Sequence, residues 1–245
     1  MLTVDLHMHT SRSICGLHTY LEMINYALEK NLQGIAITDH GKALKGPGIS
    51  SIFLNRFPQE YKGLKIWKGI EANVLPSGQT DVPKDLAAKL DLILLAIHPN
   101  IEQGRPEDYY TNLLLDCLKQ NPFIDILAHP DITFYPLNMK EIVKTAKELG
   151  IALEFNNSNI TYKKTNLTKM KEMSQAILET GCRVIISGDA HAITEIGEDR
   201  DIVKTFKELN IPDMPLVNKN LETAAAFISE RKQIRQSYFS NTDKK

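Results

Sequence analysis

Two histidines, His7 and His9, stand two residues apart at the end of the chain's first apolar run, in Asp5-Leu6-His7-Met8-His9-Thr10. If that run is a strand, side chains at i and i+2 leave the same face, and both imidazoles emerge together at its C-terminal end. Two neutral imidazoles so placed make half a metal site. Alone, the pair reads equally well as two ordinary histidines that close a strand. The other histidines break the tie. His40 follows an apolar run at 35–37, His98 one at 92–97, His129 one at 124–128, and His191 stands just past a run at 184–186, two residues after Asp189. Glu71 ends a run at 65–70. Of the seven histidines only His18 lies away from a strand end. Any single one is most simply structural, but six of them together with Glu71 and Asp189 point to metal chemistry.

Six imidazoles and two carboxylates exceed the roughly four donors of one zinc site. Two or three ions sharing a carboxylate would use them all, and Glu71, next to the small Ala72, is the natural bridge. Imidazole with carboxylate suits Zn, Mn or Fe better than Mg or Ca. Asp5 lies on the strand face of His7 and His9, where it is expected either to accept an imidazole N–H or to face solvent.

The elements that must position these groups follow from periodicity. Apolar runs at 2–6, 35–37, 65–70, 92–97, 124–128, 151–155 and 184–186 read as strands. Helical patterns at 17–30, 85–89, 106–120, 138–149, 168–180, 198–209 and 221–232 alternate with most of them. Residues 42–62, with Gly46-Pro47-Gly48 and Phe57-Pro58, read as a long loop carrying one short helix. Strands alternating with helices specify parallel βα units. An open sheet gathers ligands at one switch point, whereas here every strand ends in chemically able residues, with Asn156 and Asn157 at the end of the sixth run. Only a barrel brings all those ends to one mouth, so a (β/α) barrel of about seven strands is expected.

A chain of 245 residues buries roughly 70–75% of its unfolded surface and can hold a core without disulfides or structural metal. No linker or repeat divides it, so one domain over 1–236 is expected, with a polar, frayed tail at 237–245. The formal net charge is −1 with both signs interspersed, which gives no basic stripe for a dedicated nucleic-acid module. Three unpaired cysteines, no basic-apolar leader and no apolar run of membrane-spanning length suggest a cytoplasmic protein without a membrane partner. Cys117, within a helix, and Cys182, entering a strand, read as inert core residues.

Six motifs carry a resemblance. Asp5-Leu6-His7-Met8-His9-Thr10, Ile37-Thr38-Asp39-His40-Gly41, Gly69-Ile70-Glu71-Ala72-Asn73, Ala128-His129-Pro130, Leu153-Glu154-Phe155-Asn156-Asn157-Ser158 and Ser187-Gly188-Asp189-Ala190-His191 resemble the PHP (polymerase and histidinol phosphatase) family, and most of all its YcdX-type phosphatases. The resemblance implies a distorted, TIM-barrel-like (β/α)7 barrel with three divalent ions, Zn or Mn foremost and Fe as a further option. It implies His7, His9, Glu71 and Asp189 on one metal, His40 and His191 on a second, and Glu71, His98 and His129 on a third. The family pattern has a histidine in the loop after the first strand, where this chain has Cys15. A thiolate is an excellent zinc ligand, so Cys15 can fill the position. His18, three residues on, is the alternative, and a small loop residue without a metal role is the third reading of Cys15.

The expected activity is hydrolysis of small phosphomonoesters by a metal-bound hydroxide, with Asp189, His191 and Glu71 catalytic and Arg12, Lys42, Lys163 and Lys164 able to reach phosphate. The competing readings are a phosphodiesterase or 3′ exonuclease acting on nucleic acid, a metal-dependent C–N hydrolase, and a non-enzymatic metal-binding regulator. A small phosphorylated molecule is the expected partner, and association into a homo-oligomer through the barrel helices is possible.

Overall fold

A computed structural model describes residues 2–242. In chain order the elements are β1 (Val4–Asp5), α1 (Tyr20–Glu29), β2 (Gly34–Ile37), α2 (Ser51–Leu54), β3 (Glu60–Tyr61), β4 (Leu64–Asn73), α3 (Lys84–Ala87), β5 (Leu92–Ala96), α4 (Glu107–Gln120), β6 (Ile126–Leu127), α5 (Met139–Leu149), β7 (Ala152–Asn156), α6 (Asn157–Thr161), α7 (Leu167–Thr180), β8 (Val184–Ser187), α8 (Arg200–Glu208) and α9 (Leu221–Thr242). Local chemistry sets their ends. Thr19 closes a capping box with Glu22 at the start of α1, and Asn138 and Asn166 cap α5 and α7. Gly150 and Gly181 end α5 and α7 in the left-handed region that a side chain would strain.

Seven strands run parallel in the order β1-β2-β4-β5-β6-β7-β8, while β3 adds an antiparallel pairing to β4. The seven expected strands are the seven parallel ones, and the barrel expected from the strand ends is the fold observed. It closes unevenly. At the C-terminal end Met8 bridges Ala190, with the His9 N–H donating to the Ala190 carbonyl at 2.8 Å. Lower down, the Asn218 side chain spans the seam: its amide donates to the carbonyls of Val4 and Ile186, and its oxygen accepts from the Ile186 N–H. A side-chain amide there replaces strand pairing between β1 and β8.

Inside the barrel, Val4, Leu6, Leu92, Leu94, Ile126, Ala152 and Ile185 pack with Ala224, Phe227 and Ile228 of α9, which plugs the bottom. The last helix exceeds its expected range. It continues ten residues past 232 to Thr242, so a tail frayed from 237 is not what the structure has; residues 243–245 of that tail lie outside the described residues. Arg231, Arg235 and Phe239 recur at helical spacing on the inward face. Both arginines are fully buried, so a sequence pattern that scores arginine as solvent-facing ends the helix too early. Among the described residues no helix is long and apolar enough to cross a membrane.

Candidate metal centre

Six of the seven parallel strands deliver a donor to the same mouth: His7 and His9 beyond β1, His40 beyond β2, Glu71 within β4, His98 beyond β5, His129 beyond β6, and Asp189 and His191 beyond β8. Glu71 is buried at their centre. Its Oε1 lies 2.8 Å from His129 Nε2, 3.4 Å from His98 Nε2 and 3.5 Å from His7 Nε2. Its Oε2 lies 2.8 Å from His40 Nδ1 and 3.4 Å from His9 Nε2. Asp189 Oδ1 faces His7 and His9 at 3.3 and 3.2 Å, with His191 Nδ1 at 3.6 Å. His129 and Asp189 both have positive φ, +34° and +50°, a conformation costly for residues with side chains and tolerated where the surroundings impose it.

Hydrogen bonds behind the imidazoles fix which nitrogen faces inward. His7 Nδ1–H donates to Glu154 Oε1 at 2.7 Å. His98 Nδ1–H donates to Asn73 Oδ1 at 2.7 Å, and Asn73 in turn donates to Asp81. His9 Nδ1–H donates at 3.2 Å to Ser13 Oγ, whose own proton goes to Asp39. In each case the Nε2 lone pair is left pointing at the cluster. His7 Nε2 and His9 Nε2 consequently meet at 3.1 Å. Two ring nitrogens this close need a positive charge between them: a proton on His7, which Glu154, Asp189 and Glu71 favour against burial, or a metal cation in its place. Buried His40 Nδ1 and Glu71 Oε2, though 2.8 Å apart, do not meet in hydrogen-bond geometry, and buried His129 Nδ1 and Asp189 Oδ1 also lack it. The donor set therefore fits divalent metal.

The electrostatics agree. Burial opposes charge on Glu71 and Asp189, yet the surrounding imidazoles hold both well below the usual carboxylate range. Against the same burial penalty, Glu71 and Cys15 push His40 up to about 10, and Cys15 with Asp189 pushes His191 up to about 9.

Among the described residues three groups of donors lie close enough to share an ion: His7, His9 and Glu71; His9, His40 and His191; and His40, Glu71 and His98. The first holds three of the four residues that the resemblance implies for one metal, without Asp189. His9 joins His40 and His191 in the second, and His40 rather than His129 accompanies His98 in the third. Cys15 lines the same cavity as His40 and His191, and against partial burial those two imidazoles hold its thiol down at about 6. His18 instead accepts a hydrogen bond from the Ile193 N–H at its Nδ1 and is not among the lining residues.

Other expectations need correction. Asp5 touches no imidazole nitrogen and does not face solvent. It is fully buried and accepts the backbone N–H groups of His7, Gly188 and Gly197, fastening β1 to the loop after β8. Burial pushes it up to about 7, against those hydrogen bonds. A Cβ at Gly188 would come within 2.8 Å of the Glu195 carbonyl oxygen and 2.9 Å of the Asp5 carboxylate, so a side chain there would force the backbone to shift. Arg12 is engaged elsewhere, donating to the Gly48 carbonyl at 2.6 Å and stacking on Phe53. Of the four candidate phosphate contacts only Lys164 lines the cavity; Lys42 and Lys163 are exposed outside it. Sequence reasoning missed Glu154, Asn73, Ser13, Asp39 and Asp81 as supports for the imidazoles. A carboxylate in the middle of the apolar run 151–155 was the available signal for Glu154; nothing local marks Asp81.

A parallel barrel whose strand ends converge on one buried carboxylate ringed by imidazoles defines the class of barrel proteins that hold divalent metal at the mouth. Residues 5–128 match the PHP domain, and the chain belongs to that family. A "probable phosphatase" from Acetivibrio thermocellus is 31% identical over 233 residues, spanning 94% of this chain and 96% of its own. Another, from Caldicellulosiruptor bescii, is 32% identical over 231 residues, covering 93% and 95%. Among solved structures, a histidinol phosphate phosphatase from Lactococcus lactis, complexed with zinc, L-histidinol and phosphate, aligns with a TM-score of 0.64 at 15% identity, covering 86% of this chain and 95% of the other. That likeness concerns the fold.

Proposed function

We propose that this protein is a metal-dependent phosphatase that hydrolyses small phosphomonoesters. One observation carries the reading: Glu71, ringed by five imidazoles, opens onto a cavity of about 410 Å³ at the barrel mouth. The relatives that match nearly the whole chain are named as phosphatases. The zinc and phosphate held by the lactococcal neighbour support the same chemistry.

Divalent ions, zinc or manganese foremost, would supply positive charge for the phosphoryl oxygens and activate water for in-line attack. Three such ions would have to draw on these shared donors, with Glu71 common to more than one and Cys15 joining His40 and His191. His191 is the most solvent-accessible imidazole of the cluster, and its Nδ1–H donates to the Asp189 carbonyl at 2.8 Å. Its Nε2 is thereby left for an ion beside Cys15 and His40, and the Asp189 carboxylate would orient the attacking water. Lys164 is placed to meet a phosphoryl oxygen as a point charge.

Polynucleotide cleavage has less support. Among the described residues that line the cavity, Lys164 is the single lysine or arginine, whereas a nucleic-acid backbone asks for a track of cations. The test is a substrate panel with Mn or Zn added to the full chain. Turnover of phosphomonoesters is expected; cleavage of bis-phosphodiesters or single-stranded DNA without any monoesterase activity would overturn the proposal.

A further inference from the structure

The cavity walls say what lies beyond the phosphate. Apart from the cluster and Lys164, the lining is largely apolar: Ile14, Leu44, Ile97, Ile132, Phe134 and Tyr135 dominate it. Glu71 and Asp189 are the only carboxylates among the described lining residues, and both are committed to the metal donors. A substrate bearing an ammonium group would find no counter-charge there, and burying it unpaired is costly.

The apolar wall is built rather than incidental. Phe134 is 50% exposed and Ile14 66% exposed, although large apolar side chains open to water gain nothing until something covers them. Phe134 and Ile132 ride on a loop stitched to the loop of Lys164. The Thr133 N–H and hydroxyl both donate to the Lys164 carbonyl, at 2.9 and 3.0 Å. The Thr165 hydroxyl donates to the Asp131 carbonyl at 3.0 Å, and the Lys164 N–H to the Asn159 carbonyl at 2.8 Å. These bonds hold the backbones that carry the aromatic ring and the single cation together beside the metal donors, so the two loops are joined before a ligand arrives.

We infer that the substrate is a phosphomonoester whose alcohol portion is apolar and carries no cationic group, with Phe134 and Ile132 selecting it. This rests on the phosphatase reading and narrows it. Three primary-alcohol esters test the point on the metal-loaded full chain: ethyl phosphate, 2-phenylethyl phosphate and O-phosphoethanolamine. The phenylethyl ester should exceed ethyl phosphate in kcat/KM by about 10-fold or more, the discrimination typical of an apolar subsite, chiefly through KM. O-phosphoethanolamine should be the poorest. Binding of 2-phenylethylphosphonate against ethylphosphonate by calorimetry should show the same preference without turnover.

Phe134→Ala should narrow the phenylethyl-to-ethyl ratio, Phe134→Leu should restore much of it, and Phe134→Glu should raise O-phosphoethanolamine relative to the phenylethyl ester. Ethyl and phenylethyl esters of equal kcat/KM, or a preference for the amine, would overturn this assignment and leave the phosphatase reading standing. Failure to hydrolyse all three esters with either metal would overturn both.

Discussion

Glu154 Oε1 lies 2.7 Å from His7 Nδ1, with both side chains fully buried. The same carboxylate accepts the Ser187 hydroxyl at 2.5 Å, the His129 N–H at 2.8 Å and an Asn156 amide hydrogen at 3.1 Å. One side chain thus sets the tautomer of His7 and ties the strand ends that carry His129 and Asp189. Glu154→Gln keeps the shape but weakens this anchoring. It should cut metal affinity by about 10–100-fold, the usual cost of losing a partner behind a ligand. Chelator competition measures it, and unchanged affinity would return Glu154 to a purely structural role.

Glu71 faces imidazoles from four different strand ends. We propose that a carboxylate so placed would be shared between ions. Glu71→Ala should therefore lose more than one metal equivalent per chain in elemental analysis. Loss of a single equivalent would remove Glu71 from the bridge.

Most of this centre was legible in the sequence because a parallel barrel converts linear order into convergence: a donor just past an apolar run ends up at the mouth. His7, His9, His40, Glu71, His98, His129, Asp189 and His191 all obey that rule. Apart from Glu154, whose carboxylate interrupts an apolar run, the supporting contacts were not legible. Asp81 reaches the Asn73 amide from a loop, and Asp5 spends its carboxylate on the N–H groups of Gly188 and Gly197, 183 and 192 residues away in sequence. Such pairings depend on how the chain closes, which local pattern does not encode. The length of α9 was hidden for another reason, since its buried face is made partly of arginine.

Cys15 differs from the chain's other thiols. Burial pushes Cys117 up to about 12 and Cys182 up to about 11, whereas His191 and His40, against burial, hold Cys15 at about 6. Iodoacetamide should label metal-free protein at Cys15 alone. Its rate should be low below pH 6, where the thiol is protonated, and rise through that value as thiolate forms. Zinc loading should protect it, and peptide mass mapping against pH checks each step. Cys15→Ser should lower metal content while His18→Ala leaves it unchanged; the reverse result would hand the ligand role to His18.

At the opposite end of the barrel, Asp125 joins two fully buried arginines. Its Oδ1 lies 3.3 Å from Arg231 Nε and its Oδ2 2.5 Å from Arg235 Nη1, while Oδ2 also accepts the Ile93 N–H at 2.8 Å. The guanidinium groups reach on to the carbonyls of Ile124, Leu149, Leu90 and Asp91, so α9 is clamped across the strand entrances. Truncating Asp125 removes the only carboxylate that these arginines are bonded to among the described residues. Two buried positive charges would then face carbonyl dipoles alone. Asp125→Ala should cost about 3–5 kcal/mol, as breaking a buried ion pair does. For a chain of this size that is a fall in Tm of roughly 6–20 °C. Because the metal donors sit at the other end of the strands, metal stoichiometry below the transition should stay that of the unaltered chain. Thermal unfolding followed by circular dichroism, with metal content measured in parallel, separates the two. A small change in Tm would mean that the carbonyls alone satisfy the arginines and that the apolar face of α9, through Phe227 and Ile228, is what holds the plug in place.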